Sequence, residues 1–524
     1  MQKHTIQAIH LKNFKSFRHR KIEDLDAGLN IFIGDNDTGK SSILQAVDLV
    51  LGANTNRIDA IGLEKLLNQS AVSEFLAKDE RKVEDLPEME IDLYLSDTQR
   101  HEFDGQHNID QVEAHGIYLR CRPRDELYDQ ISEVIKQQDI PFPYDYYMVE
   151  IKGFGGETLS PYKRPIDCLV LDTTKISTEY ASKAYINTMY KAYTKDEEKH
   201  ALKYAYRQAK DRYSKERLSD LNKRLDAGYG FSVKNSSKAN LETDLTISFK
   251  GVDIDNLGMG SQCFVRTEFA LAKKTNIDVV LLEEPENHLS QANMKKLIEV
   301  IKGGSESQIF IATHSSLVCS RLDLRHAILL AQPGAEPIKL DALPKDTAEF
   351  FMKAPDNSVL EFVLSNRAVL VEGDAEFILM EAFYENVTGE SLFGSGVDVI
   401  AIGGISFPRY LDIARLLGIR TAVITDNEGN ARATCVDRYE PYADIDTICV
   451  AYDPDDDRST FEICVYQDNS ELCDGLFAQG RRTLTVQEYM LKNKSEAAFV
   501  IASTKPDEVV VPAYIAEAIR WVRS

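Results

Sequence analysis

Leu29-Asn-Ile-Phe-Ile-Gly34-Asp-Asn-Asp-Thr-Gly39-Lys40-Ser41-Ser42 decides the fold of the first half of this chain. Leu29–Ile33 is a short apolar run that reads as a buried strand, and Ile43–Leu51 beyond the loop has helical spacing. Strand, glycine loop and helix in that order make a phosphate-binding loop. The glycines let backbone N–H groups wrap phosphate oxygens, Lys40 supplies a point charge, and Ser41 can ligate a magnesium ion. The helix turns the favourable end of its dipole to the anion. Gly34, Asn36, Gly39, Lys40, Ser41 and Ser42 are therefore the candidate nucleotide contacts. Working outward, Ile6–Phe17, Pro87–Leu95 and Ile117–Arg122 read as strands, with a turn around Asp26–Gly28. Leu241–Phe249 gives a further strand signal.

Two later strands end in groups suited to nucleotide chemistry. Asp278-Val-Val-Leu-Leu-Glu283-Glu284-Pro285-Glu286 carries acids to the carboxyl edge of a parallel sheet, where ligands bind. Glu283 is assigned to the magnesium–water shell and Glu284 to orienting the attacking water. Ile309-Phe-Ile-Ala-Thr-His314 closes another apolar run, and His314 is placed at the terminal phosphate. These three elements in this order resemble the ABC ATPase superfamily, most closely its RecF- and SMC-like DNA-maintenance branch. The resemblance implies a second subunit whose signature loop closes an ATP sandwich, hence at least a homodimer. Asn256-Leu-Gly258-Met259-Gly260-Ser261-Gln262 stands where that loop belongs, and Gly260 and Gln262 become candidate contacts. Its early serine is replaced by Gly258 or Met259, so ATP binding is better supported than brisk hydrolysis.

At 524 residues with 43% hydrophobic and 28% charged residues, the chain suits two or three globular domains. No apolar run is long enough to span a bilayer, and the basic N-terminus lacks the apolar core of a secretory signal, so a cytoplasmic protein is expected. Eight cysteines without a CxxC pair read as reduced, mostly buried thiols rather than a disulfide framework or zinc site. The net charge of −23 argues against nonspecific nucleic-acid binding, although Lys12–Lys21, Arg120–Arg124 and Lys203–Arg224 are locally basic. Residues 173–228 lose proline and gain apolar positions at three and four, which predicts an inserted helical segment that could serve as a dimer contact. Gln332–Pro344 is a plausible exit from a first domain spanning 1–345.

From Arg367 the pattern resets. Ala368–Val371, Ala375–Val387, Val397–Ile402, Phe407–Leu417 and Thr421–Thr425 alternate strand and helix, which predicts a parallel α/β domain over 366–524. The first strand runs into Glu372-Gly373-Asp374-Ala-Glu376, and the third into Asp426-Asn427-Glu428. Neighbouring strands would bring Glu372, Glu376, Asp426 and Glu428 to one edge, a costly cluster unless divalent cations occupy it. Asp453–Asp457, a further acid run, reads as a solvated loop.

Glu-Gly after one strand, acids in D-x-E spacing after another, and Gly403-Gly404 between them resemble the Toprim domain. An ABC-type ATPase followed by Toprim is similar to the overcoming-lysogenization-defect (OLD) nucleases, including the nuclease subunit of Gabija defence systems. That resemblance implies an ATP-regulated DNA endonuclease in antiphage defence. Glu372, Glu376, Asp426 and Glu428 would hold one or two Mg²⁺ or Mn²⁺ ions. It also implies a downstream acid and a lysine, placed at Glu462 and Lys494, for which ordinary surface charges are the competing reading. An accessory helicase or a nucleic-acid regulator is a further implied partner. The alternative is an ATP-dependent DNA clamp or scaffold with a non-catalytic Toprim domain. No tyrosine-bearing DNA module of a topoisomerase and no zinc motif of a primase is evident.

Overall fold

The computed structural model of the chain describes residues 4–96, 100–137, 140–160, 166–174, 178–226, 228–234, 241–272, 277–304, 306–331, 335–354, 358–403, 406–478 and 484–524. They divide into two compact units, one formed by Met1–His314 with Ile328–Pro337, the other by Ser315–Ala327 with Ile338–Ser524. The compositional boundary at 345 and this division do not coincide, because Ser316–Arg321 packs with the helices Lys345–Lys353 and Val359–Leu364. Gly404 and residues 332–334 lie outside the described residues.

In the first unit, Phe17–Ile22, Ile6–Phe14, Met89–Leu95 and Ala114–Pro123 form an antiparallel sheet in that order, with Tyr147–Gly153 paired beyond the last. A second sheet runs Leu29–Ile33, Gln308–Ala312, Val279–Glu283, Cys168–Asp172, all parallel. The helix Lys40–Gly52 contacts both sheets and buries Ile43, Leu44, Val47, Leu49, Val50 and Leu51. Its polar stripe, Ser41, Gln45 and Asp48, stays exposed or half-buried while the remaining, broader apolar face fills the space between the sheets.

The helical segment comprises Glu179–Tyr193, Asp196–Arg217 and Ser219–Asn222. Asp196–Arg217 buries none of its residues. The first helix is tied to Met259–Ala270 by Arg266, 1% exposed, which donates to the Ser182 hydroxyl at 3.1 Å and pairs with Asp255 at 2.7 Å. Leu241–Phe249 is not the strand its pattern suggests: Leu241–Asp244 is helical and only Ser248–Phe249 is extended. Glu242 and Asp244 ion-pair with Lys203 and Lys210 of the neighbouring helix, and this packing overrides the local strand preference.

The second unit holds a four-stranded parallel sheet ordered Asp398–Ala401, Arg367–Val371, Arg420–Ile424, Ile448–Ala451. Asp374–Thr388, Phe407–Leu417 and Ala513–Arg523 pack on it. The core gathers Val369, Val371, Phe383, Ile424, Phe461, Ile515 and Ile519. All eight cysteines are free, and among the described residues no helix is long and apolar enough to cross a membrane.

Candidate nucleotide and carboxylate sites

Parallel register fixes the first site. Glu283 pairs with Ala312 on one side and Asp172 on the other, and Ala312 pairs with Phe32. The turns after these four strands therefore leave the sheet at one edge. Gly39, at φ +96°, begins the helix Lys40–Gly52, and a Cβ there would lie 2.2 Å from the Phe17 ring. Gly39→Ala is expected to cost about 2 kcal/mol or more from the left-handed conformation and the collision, read as a lowered unfolding midpoint.

Lys40 is 5% exposed, and its ammonium donates to the carbonyls of Gly34 at 2.8 Å and Asp35 at 2.9 Å. Burial lowers its pKa, against the opposing charges of Glu284, Asp35, Asp37 and Glu286. Asn36 and Ser41 are exposed and Ser42 is half-buried on the same loop. A loop closed around a buried lysine, at a helix N-terminus, fits the phosphates of a nucleotide.

The acidic turn is more strongly braced than its sequence suggests. Glu284 has a left-handed φ of 45°, and its carboxylate accepts from Asn287 at 2.8 Å. His314 Nε2 stands 3.6 Å from Glu284 Oε1. Thr173 donates its hydroxyl to the carbonyls of Glu283 and Glu284. Glu286 accepts from the Thr313 hydroxyl at 2.6 Å and the His314 N–H at 2.9 Å, so it links two strand ends. Thr173, Thr313 and Glu286 were not singled out from the sequence, because only the register brings them together. Gly260 approaches His288, whose carbonyl would meet a Cβ at 2.2 Å. Gln262 is buried, and its amide donates to the carbonyls of Asp255 and Leu257, so the side chain braces the loop it belongs to.

The second site lies at the carboxyl edge of the other parallel sheet. Glu372 follows Arg367–Val371, Glu376 lies on the first turn of Asp374–Thr388, and Asp426 follows Arg420–Ile424. Phe461–Asp468 begins with its backbone N–H donating to Asp426 Oδ1 at 2.7 Å, and its next residue is Glu462, 3% exposed. Lys494, at the start of Lys494–Thr504, places its ammonium 2.9 Å from Glu462 Oε1, while Glu462 Oε2 has no hydrogen-bond partner. Burial pushes the Asp426 carboxyl up to about 8, with the charges of Glu372, Glu376 and Glu462 adding to it. Burial likewise raises Glu376 to about 7, reinforced by Glu462 and Glu372.

Glu428 is not brought into this group. Its φ of 50° breaks the extended alternation that would align it with Asp426, and it is exposed. Asn427 explains the turn. Its buried amide donates to the carbonyls of Asp453 and Asp455 at 2.8 Å each, and its oxygen accepts from the Gly429 N–H. The run Asp453–Asp457 is thus not wholly a solvated loop: Asp453 is buried and accepts from Arg458 Nε at 2.7 Å. Arg458 also makes a two-pronged contact with Asp468, at 2.9 and 2.8 Å.

Among the described residues, no three His, Cys, Asp or Glu side chains stand as a ready metal-binding group. The electrostatics nevertheless fit a divalent cation. Four acids share one sheet edge, burial raises the pKa of two of them, and among the described residues a buried oxygen of Glu462 has no hydrogen-bond partner. Glu372, Glu376, Asp426 and Glu462 are the residues that would hold it.

Two family models match the chain. One, described as an AAA domain, putative AbiEii toxin, Type IV TA system, covers residues 29–320. The other, described as the TOPRIM domain of overcoming lysogenization defect protein-like proteins, covers residues 363–427. The Old nuclease of Escherichia phage P2 is 25% identical over 33% of this chain and 33% of its own length. The DNA replication and repair protein RecF of Picosynechococcus is 40% identical over 10% of this chain and 13% of its own. The chain thus spans a third or less of these curated relatives. A solved C-terminal region of the Xanthomonas campestris OLD protein is 20% identical, covering 30% of this chain and 94% of that one, with a TM-score of 0.23. The AAA-domain model accounts for more than half of the sequence, so the chain belongs to that AAA-domain family, and a segment similar to the TOPRIM domain of overcoming-lysogenization-defect-like proteins follows it.

Proposed function

We propose that this protein is an ATP-regulated, divalent-metal-dependent DNA endonuclease serving antiphage defence in the cytoplasm. Residues 1–345 would act as the ATPase domain and 366–524 as the nuclease domain. The observation that carries the reading is the Glu372, Glu376, Asp426 and Glu462 group with Lys494 beside it. Four acids and one lysine suit phosphodiester hydrolysis better than a structural role, since burying such a group unpaired is costly.

One or two Mg²⁺ or Mn²⁺ ions, when bound, would lower the pKa of a water and screen the charge of the leaving oxygen. Glu372, Glu376, Asp426 and Glu462 would hold them. Lys494 would release Glu462 as the cation enters and turn its ammonium to the scissile phosphate, where charge develops. Glu428 sits outside the buried group and would meet solvent or substrate. In the nucleotide site, Lys40 and the Gly34–Ser42 loop would bind the phosphates, Ser41 and Glu283 the magnesium shell, and Glu284 a water. His314, within reach of Glu284, would report the terminal phosphate. Gly260 and Gln262 would act from a second subunit, with the helical segment 173–228 as a dimer contact. An accessory helicase or nucleic-acid regulator belongs to the same reading. The helix Asp196–Arg217 supports the dimer, since among the described residues none of its side chains is fully buried.

Supercoiled plasmid incubated with Mg²⁺ or Mn²⁺, with and without ATP, tests the proposal. Nicking or linearisation is expected, and Glu372→Ala should abolish it, a loss of at least about 10²-fold. Lys40→Ala should change only its dependence on ATP. Plasmid left intact under all conditions, with the protein still bound to DNA, would favour an ATP-dependent clamp.

A further inference from the structure

The carboxylate of Glu372 is oriented by the residue that follows a neighbouring strand. Thr425 donates its hydroxyl to Glu372 Oε1 at 3.0 Å. Register dictates the contact. Leu370 pairs with Val423 across parallel strands, and Glu372 and Thr425 each lie two residues beyond that last pair, so both leave the sheet at the same edge. Thr425 is 4% exposed, and its N–H is engaged by the Ala451 carbonyl at 3.1 Å, which pins the residue from the other side.

A carboxylate among other carboxylates is pushed outward by them, toward solvent. Glu372 and Asp426 follow neighbouring parallel strands, so both acids emerge at the same sheet edge. The Thr425 hydroxyl opposes such repulsion with a directional bond to Glu372 Oε1.

We infer that Thr425 is a positioning residue for the cation site: its hydroxyl holds Glu372 among the acids in the orientation that receives a divalent ion. The inference rests on the reading of these acids as a cation site, and the test separates the two. Residues that orient metal-ligating carboxylates typically contribute 10- to 100-fold to metal affinity. Valine has the shape of threonine and suits a strand, so Thr425→Val removes the hydroxyl while keeping the packing.

Titration of the purified full-length protein with Mn²⁺, following free ion by electron paramagnetic resonance, reads the affinity directly. Thr425→Val is expected to weaken binding by about ten-fold or more, with its metal-free unfolding midpoint near that of the parent. Thr425→Ser, which keeps the donor, should bind close to the parent, and Glu372→Ala should lose the site. Parent-like affinity in Thr425→Val beside loss in Glu372→Ala would overturn the role of Thr425 alone. Equal loss in Thr425→Ser and Thr425→Val would also overturn it, because the hydroxyl would not be the cause. Parent-like affinity in both Thr425→Val and Glu372→Ala would overturn the cation site and this inference with it.

Discussion

Raising the pH from about 5 to about 8.5 without divalent cations is expected to destabilise the second unit by several kcal/mol, and Mn²⁺ is expected to restore it. Glu376, raised to about 7, and Asp426, raised to about 8, keep their protons in the folded state at pH values where the unfolded chain has released them. Their contribution is therefore complete below about pH 4 and is lost as the pH rises through 7 to 8. Each pH unit separating folded and unfolded values corresponds to about 1.4 kcal/mol, so two groups reach several kcal/mol. Bound cation compensates the charges and removes the penalty. Urea unfolding at pH 5, 7 and 8.5, with and without Mn²⁺, reads both effects.

Asp426→Asn provides the control. The amide oxygen can still accept from the Phe461 N–H, but there is no proton to lose. Without metal this variant should outlast the parent at pH 8.5, and it should gain little from Mn²⁺. A parent whose stability stays flat between pH 5 and 8.5 would contradict the burial of these acids.

Arg458→Met is the second large effect. One guanidinium serves Asp453 through Nε and both oxygens of Asp468 through its two amino groups. Its hydrogen bonds to Asp468 and Asp453 raise its own pKa. Methionine fills a similar volume and leaves two partly buried carboxylates without that partner. The loss should be about 2–3 kcal/mol, seen as a lower urea midpoint. It should also weaken Mn²⁺ binding, because Asn427 and Arg458 hold the turn that leads into Phe461 and Glu462. An unchanged midpoint would mean that water satisfies both acids and that the turn stands without the clasp.

The strand Leu29–Ile33 and the helix Phe407–Leu417 were legible because an apolar run or a helical period coincides with unambiguous boundaries: glycine at the end of one, proline and glycine framing the other. Glu372, Glu376 and Asp426 were legible as a group because strands in a repeating strand–helix order bring their ends to one edge. Glu428 shows the limit of spacing. Two acids separated by one residue share a side only while the backbone stays extended, and the burial of Asn427 turns the chain there. Thr425, Phe461 and Arg458 contribute a hydroxyl, a backbone N–H and a guanidinium whose partners lie 53, 35 and 10 residues away. Nothing local in their sequence marks such a partner. Leu241–Phe249 was misread because two carboxylates paired with lysines of a neighbouring helix outweigh a weak strand preference.

Lys494 arrives late. The acids at 372, 376, 426 and 462 leave the ribosome before it, and the helix it opens packs against the one carrying Glu376. Until that helix docks, the nascent unit carries like charges with no ammonium near Glu462, and its sheet edge repels itself. Divalent cations present during synthesis would relieve that repulsion early. Docking of the helix Lys494–Thr504 then becomes a late step of biogenesis, and refolding in magnesium should proceed faster than in chelator, with the difference confined to this step.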